Sequence, residues 1–224
     1  MASILPRWRI IPAFCNNLSI EIISTQLNLR DCKDSISENN ARNARYDFFK
    51  RENKENSLVA FGHHQNDQVE TLLFRLFRGT GISGAAAIPE CRTLGQGIII
   101  RPFLKIKKNE LLKYAQLNRL RWVEDSSNSE NQYSRNIIRN KILPLIQTHW
   151  PQVIESLSHF SKIAEEQNEI LIDVAKNDLK NVSFFENQSK EAKQICLRKF
   201  LVLTSARQKN LIYYWVANID TVNF

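Results

Sequence analysis

The spacing of apolar residues predicts alternating strands and helices over the first 150 residues. Short apolar runs predict strands at 18–24, at 57–62 ("SLVAFG", read as a buried strand) and at 97–103. Helical periodicity predicts helices over 37–51, with Ser37 as its cap, and over 67–78, 107–118 and 134–146. Strands that alternate with helices are typical of an α/β fold with a parallel sheet.

Residues 151–224 carry a different pattern, which predicts helices only. Apolar residues recur at helical spacing through a long first segment: Ile154, Leu157, Phe160, Ile163, Ile170 and Val174. Two shorter helices are predicted within 189–204 and 206–219. The sequence therefore predicts two parts, an α/β domain over 1–150 and a small helical region over 151–224.

Composition narrows the class of protein and its compartment. Hydrophobic residues make up 43% of the chain, enough for a core, and every apolar run is far too short to cross a bilayer. The four cysteines, Cys15, Cys32, Cys91 and Cys196, show no Cys-x-x-Cys pairing. We therefore predict free thiols and a cytoplasmic protein, with an organellar stroma as the alternative and no membrane partner.

Positive charge is concentrated in one part of the chain. The net charge is +8, and residues 101–150 hold ten Lys or Arg against four acids, whereas 151–224 holds nine of each. A concentrated basic segment is the electrostatic pattern of a protein that binds a polyanion. A solvated surface would give the same composition, so both interpretations stay open at this point.

Candidate chemistry is densest in "VAFGHHQNDQVETLLFRLFRGTG", residues 59–81. His63 and His64 follow a predicted strand, and Asp67 and Glu70, three residues apart, share one face of the next helix. In parallel α/β sheets, ligands bind beyond the carboxyl ends of the strands. Acids in a first helical turn also complement the helix dipole, and paired histidines also occur on ordinary surfaces. The clustering of all six glycines between residues 62 and 97 favours a ligand crevice.

Several segments together resemble one family. They are "NNARNARYDFF", "GHHQNDQVETLLFRLFRGTGISGAAAIPE", "IIRPFLKIKKNELLKYA" and "LRWVEDSSNSENQYSRNIIRNKILPLI", in that order. The chain resembles the tRNA(Ile)-lysidine synthetases, which are PP-loop ATP pyrophosphatases, from about residue 14 to residue 150. The resemblance implies an α/β, parallel-sheet, adenine-nucleotide alpha-hydrolase-like domain, followed by the start of a helical, tRNA-contacting region.

The resemblance also implies a reaction and its partners. The family uses ATP and Mg²⁺ to adenylate the C2 oxygen of the wobble cytidine in an isoleucine tRNA with a CAU anticodon. The ε-amine of free lysine then displaces AMP and leaves lysidine. The implied partners are that tRNA and free lysine, and a homodimer is a candidate assembly.

Residue roles follow from the same resemblance. Asp67 and Glu70 become the catalytic carboxylates that hold the cationic amino acid, and Asp67 also becomes a candidate Mg²⁺ ligand. Substrate and nucleotide binding is assigned to His63, His64, Arg135, Asn136 and Arg139, the arginines as phosphate ligands. Glu124 and Asp125 are expected to shape the loop before the predicted helix 134–146.

The chain departs from the family pattern at two places. Asn66 stands where the family usually has a second acid beside Asp67, so the second-carboxylate role is in doubt there. The family's Ser-Gly-Gly-x-Asp-Ser loop, which binds the pyrophosphate of ATP, is not found in this sequence, whose first glycine is Gly62. We therefore expect the family's first strand, phosphate loop, first helix and second strand to be lacking.

Three functions remain open after these departures. The first is a lysidine synthetase whose amino-terminal segment is lacking, and the second is an inactive, truncated relative that only binds tRNA. The third is another PP-loop enzyme, such as a thiolating one, against which the absence of paired catalytic cysteines argues. The first is the principal prediction.

Overall fold

The structure, a computed structural model, describes residues 15–16, 18–25, 38–120, 122, 134–184 and 194–218. They belong to two compact units, one drawn from Met1–His64 and Glu90–Asn136, the other from Gln65–Pro89 and Ile137–Phe224. The predicted division into 1–150 and 151–224 stays a prediction.

The described elements follow one another in the order helix, strand, two helices, two strands, then mostly helix. They are α1 (Glu38–Glu52), β1 (Leu58–Ala60), α2 (Gln65–Leu76), α3 (Ile82–Ala85), β2 (Cys91–Leu94), β3 (Gly97–Ile100), α4 (Lys108–Leu117), α5 (Ser134–Ile137), a π-helical turn (Ile138–Ile142), α6 (Leu143–His149), α7 (Val153–Val182), β4 (Ser183–Phe184), β5 (Gln194–Ile195), α8 (Leu197–Val202) and α9 (Ser205–Asn218).

The first unit contains a three-stranded sheet in the order β1-β3-β2. β1 and β3 are parallel, with Val59 opposite Ile99, as the predicted α/β fold requires. β2 was not predicted; it pairs antiparallel with β3 through a tight turn at Gly95 and Gln96, where Gly95 takes a left-handed φ of 60°. Ile99, at the centre of the middle strand, is fully buried.

One strand prediction in this unit is wrong, and a second strand forms but is not buried as expected. Residues 18–24 form no strand: they are a turn and irregular backbone, and Leu18 and Ile23 are exposed. A strand is stable only when it pairs, and these residues pair with none of the described strands. β1 does form, but it lies at an edge of the described sheet and Leu58 is 63% exposed, so it is not the buried strand expected.

Asn53 joins the end of α1 to the β2–β3 hairpin. Its side-chain nitrogen donates to the Leu94 carbonyl at 2.8 Å, and its side-chain oxygen accepts from the Ser57 hydroxyl. Gly97 lies so close that a Cβ there would stand 2.5 Å from the Asn53 oxygen and 2.6 Å from the Ser57 carbonyl oxygen. The sequence at this position therefore has to be glycine for the hairpin to close on Asn53.

The second unit is built from helices around α7. One core cluster joins α2, the π turn, α6 and α7, and consists of Val69, Leu73, Ile138, Leu143 and Ile154. A second joins α2 to the segment around α3 and to α7, and consists of Leu72, Ala85, Ala87 and Ala164. The predicted helices 67–78 and 134–146 are thereby confirmed, the latter as the continuous run α5, π turn and α6.

The buried face of α7 differs from the one its large apolar residues predict. Ile154 is buried, but Phe160, Ile163 and Ile170 are exposed. The face in the core also carries small and polar residues: Ser161, Ala164, Ala175 and Asp178. Small side chains let neighbouring helices approach closely, and the Asp178 carboxylate accepts hydrogen bonds from Arg207 of α9.

The sequence correctly predicts two short helices in the carboxyl-terminal region. α8 and α9 lie within the predicted ranges 189–204 and 206–219, apart from one residue at the start of α9, while the two-residue strands β4 and β5 were not predicted.

Cys15, Cys91 and Cys196 are free thiols, and Cys32 and Ser37 lie outside the described residues. Over the described parts of the chain, every helix is too short or too polar to cross a membrane.

Candidate active site

Two predicted carboxylates and one predicted arginine meet in the second unit. Glu70 of α2 makes a bidentate pair with Arg139, Nε donating to Oε1 at 2.8 Å and an Nη to Oε2 at 2.7 Å. The same guanidinium reaches an oxygen of Asp67, one turn earlier on α2, at 3.2 Å. The spacing of Asp67 and Glu70 thus puts both carboxylates on one helix face, as predicted.

The backbone around Arg139 is a π-helical turn, from Ile138 to Ile142. Such turns are rare and recur at functional sites. The local cause is Pro144: because proline has no N–H, it cannot donate to the carbonyl four residues earlier, at Asn140. The wider turn presents Arg139 toward α2 while Ile138 and Leu143 stay buried in the core.

The ion pair is largely shielded from water. The side chains of Glu70, Asp67 and Arg139 are 3%, 13% and 27% exposed. The hydrogen bonds to Glu70 raise the pKa of Arg139 above its ordinary value, although burial opposes this, and the charges of Glu70 and Asp67 act in the same direction as those bonds. Two carboxylates therefore share the guanidinium of Arg139.

Two further polar residues of α2, which its sequence pattern did not predict as functional, hold the loop after this helix. Gln68 donates to the Ala86 carbonyl at 3.1 Å and accepts from the Ile88 amide at 2.8 Å. Arg75, seven residues on, donates to the carbonyls of Gly84 and Ala87 at 3.1 and 2.8 Å. Gln68 and Arg75 are two polar residues two turns apart, on the same helix face as leucines that are buried, and this pattern could have identified them from the sequence.

His63 lies in the first unit, just beyond the carboxyl end of β1. Its Nδ1 accepts a hydrogen bond from Nε of Arg101 at 3.3 Å, and its ring lies 5.7 Å from the ring of Phe61. Arg101 is 3% exposed, and this burial is the main cause that lowers its pKa below the ordinary value. His64 follows and is half-buried.

The remaining predicted residues are placed less specifically. Arg135 and Asn136, on α5, belong to the first unit and precede the π turn in sequence. Glu124 and Asp125 lie outside the described residues. The structure therefore brings together Asp67, Glu70 and Arg139; the roles of His63, His64, Arg135 and Asn136 remain predictions.

A metal site made by protein side chains alone is not assembled in the described part of the chain. No group of three or more His, Cys, Asp or Glu residues there is close enough to hold an ion. Mg²⁺ usually takes only one or two carboxylates and completes its shell with water and phosphate oxygens. Asp67, the more exposed of the two carboxylates on α2, fits that limited role.

Comparison with known proteins gives tRNA(Ile)-lysidine synthases. The chain is 35% identical over 202 residues to the tRNA(Ile)-lysidine synthase of Coxiella burnetii, which covers 90% of this chain and 43% of that protein. It is 40% identical over 178 residues to the enzyme of that name from Pseudomonas syringae pv. tomato, and the match covers 79% of this chain and 40% of that protein. It is 42% identical over 144 residues to that of Legionella pneumophila, and the match covers 64% of this chain and 33% of that protein. The chain thus spans less than half the length of these curated relatives.

A family profile gives the same result at the level of the domain. The profile of the PP-loop domain, an ATP-utilising α/β domain, matches residues 7–146. The match includes α1, the three-stranded sheet, α2 and the π turn with Arg139. With well over half of its length matched in this way, the chain belongs to the PP-loop family.

Proposed function

We propose that this chain acts in the ATP-dependent ligation of lysine to the wobble cytidine of an isoleucine tRNA with a CAU anticodon. ATP adenylates the C2 oxygen of the cytidine with release of pyrophosphate, and the lysine ε-amine then attacks C2 and displaces AMP. The names of the relatives support this assignment. The structural observation that carries it is the convergence of Asp67 and Glu70 on Arg139.

This cluster has the charge that a cationic amino acid requires. A carboxylate attracts an ammonium group, and the low exposure of Asp67 and Glu70 strengthens that attraction relative to open water. Glu70 is the more buried carboxylate and is held by two hydrogen bonds from Arg139. The contact of Asp67 with Arg139 is longer, 3.2 Å, and Asp67 is more accessible than Glu70, so we assign Asp67 the direct contact with the lysine ammonium and Glu70 the binding and orientation of the pair.

ATP and Mg²⁺ belong to the same proposal. When bound, they supply the activating adenylyl group and neutralise phosphate charge. Asp67 would contribute a carboxylate to the metal, and His63, His64, Arg135 and Asn136 would contact the nucleotide or the phosphates. Arg139 was predicted as a phosphate ligand; its immediate partners are carboxylates, so we assign it first to holding Asp67 and Glu70.

The experiment compares Asp67→Asn with the parental chain. With ATP, lysine and the CAU-anticodon tRNA present, and with the family's phosphate-loop segment supplied in cis or as a separate fragment, the parental chain should release AMP and incorporate lysine. Asp67→Asn should reduce incorporation at least about 100-fold. Its tRNA binding should change less than about twofold, because this carboxylate is assigned to the amino acid and the metal rather than to the tRNA. Asp173→Asn, an exposed acid on α7 that pairs only loosely with Lys176, is the matched control.

Three results would contradict the proposal in different ways. Parental incorporation by Asp67→Asn would remove the assigned role of this carboxylate. A parental chain that binds the tRNA but releases no AMP even with the phosphate-loop segment supplied would favour the second candidate, a relative that binds tRNA without catalysis. AMP release that requires tRNA but not lysine would point to a different PP-loop reaction.

A further inference from the structure

Three arginines of the first unit gather around one tyrosine ring. Arg42 lies one turn before Tyr46 on α1, and its guanidinium carbon is 5.3 Å from the centre of the Tyr46 ring. That of Arg92, on β2, lies 4.7 Å from the same centre. Burial lowers the pKa of Arg101, and its interaction with Tyr46 opposes that shift, so Arg101 lies beside the same residue. Arg42 and Arg92 come from outside the basic segment 101–150.

A set of aromatic rings fixes the position of Tyr46. Its ring meets that of Phe61 at 5.7 Å in an edge-to-face arrangement, and Phe49 contacts Phe61 at 5.4 Å. The guanidinium carbon of Arg101 lies 5.8 Å from the centre of the Phe61 ring, and its Nε donates to His63. The tyrosine is therefore a rigid platform for the two arginines that stack on it.

Arg42 and Arg92 are not paired with an acid in the part of the chain that the structure describes. Arg42 and Arg92 are exposed, and among the described residues no carboxylate lies within 4.0 Å of either. Glu90, close to Arg92 in sequence, pairs instead with Lys105 at 2.8 Å. The positive charge of each arginine attracts an anion.

We propose that Arg42 and Arg92, stacked on Tyr46, form a binding subsite for a backbone phosphate of RNA. Guanidinium groups bind phosphate oxygens in bidentate geometry, and stacking on a ring orients them in advance. Both arginines are exposed, one on a helix and one on a strand at the edge of the described sheet, where a long polymer has access. Arg101 adds positive potential from its buried position. The identification of the RNA as tRNA rests on the proposed function.

The test measures tRNA binding as a function of salt, without ATP or lysine. Fluorescence anisotropy with the labelled CAU-anticodon tRNA gives Kd for Arg42→Gln, Arg92→Gln and the double variant at about 50 to 200 mM salt. Each single variant should lower the slope of log K against log salt by about 0.7 to 0.9, and weaken binding about three- to tenfold. The lysine variants at both positions should keep the parental slope, because lysine keeps the charge, and should bind more weakly than the parent.

Arg51→Gln is the matched control on the same helix. Arg51 is exposed and lies nine residues after Arg42, which places it half a turn around α1 on the opposite face. Its variant should bind as the parent does. Melting temperatures near the parental value for all variants confirm folding, which we expect because the changed side chains are exposed.

The outcomes separate this proposal from the ligase assignment. Parental slopes in the Gln variants, an equal effect from Arg51→Gln, or a parental chain that binds no RNA at low salt would each overturn the phosphate subsite. Weaker ATP binding with unchanged tRNA binding would assign the arginines to a nucleotide and overturn the RNA proposal. A chain that releases no AMP yet shows the expected slopes would keep the subsite and lose only the ligase function.

Discussion

At the scale of single residues, Arg139 forms a bidentate ion pair with the buried carboxylate of Glu70. Removing the partner of a buried ion costs about 3 to 5 kcal/mol, because the remaining charge has neither its water nor its counterion. Arg139 is 27% exposed, so water will screen part of this cost. We expect Arg139→Gln to lower the free energy of unfolding by about 3 kcal/mol, measured by urea denaturation.

The same experiment has an internal and an external control. Adding Glu70→Gln to Arg139→Gln removes the orphaned charge, so the double variant should be more stable than Arg139→Gln alone. Lys162→Gln breaks an exposed pair with Glu165 and should cost less than about 1 kcal/mol. If Arg139→Gln costs no more than Lys162→Gln, the pair contributes little to stability and its role is confined to the ligand.

Part of this residue-level arrangement follows from the sequence. Helical spacing alone places Asp67 and Glu70 on a common face, because three residues make nearly one turn. The pairing with Arg139 joins positions 69 and 72 residues apart, and no local pattern encodes it. The family resemblance predicts that Arg139 binds phosphate, whereas the tertiary structure shows its hydrogen bonds to the carboxylates of Glu70 and Asp67.

At the scale of elements, the hairpin β2–β3 depends on a close approach at Gly97. A methyl group there would meet the Ser57 carbonyl at 2.6 Å and the Asn53 side chain at 2.5 Å, so strand or turn would have to move. We expect Gly97→Ala to lower the free energy of unfolding by about 1 to 3 kcal/mol. Thermal or urea denaturation of the purified variant measures this.

Gly62→Ala serves as the comparison for that variant. A Cβ at Gly62 meets nothing within 4 Å, so its effect on stability should stay within about 0.5 kcal/mol. Equal stabilities for the two alanine variants would show that the hairpin adapts without strain. The clustering of glycines in the sequence favours a ligand crevice; at Gly95 and Gly97 the hairpin itself explains the residue.

Element prediction succeeded where local periodicity decides the structure. Helices α1, α2, α4 and α9 follow the predicted spans within a few residues, because their apolar spacing matches one face of a helix. The strand at 18–24 failed since its apolar run cannot pair by itself. The buried face of α7 includes Asp178, whose carboxylate is paired with Arg207, 29 residues away. Local periodicity does not show such a pair, so it does not predict this face.

At the scale of the whole molecule, charge distribution is the property with the most direct consequence for a tRNA ligand. The chain has a net charge of +8, most of it within 101–150, and Arg42 and Arg92 add exposed positive charge from outside that segment. Each phosphate neutralised by a cation releases counterions, so affinity falls steeply as salt rises.

With about six such contacts, binding of the CAU-anticodon tRNA should weaken about 1,000-fold between about 50 and 200 mM salt. A peptide nucleic acid of the anticodon-arm sequence, which has no phosphates, should show almost no salt dependence in the same anisotropy assay. Equal salt dependence for the two ligands, or tRNA affinity that stays flat with salt, would mean that phosphate contacts do not hold the tRNA and that base contacts or shape carry the recognition.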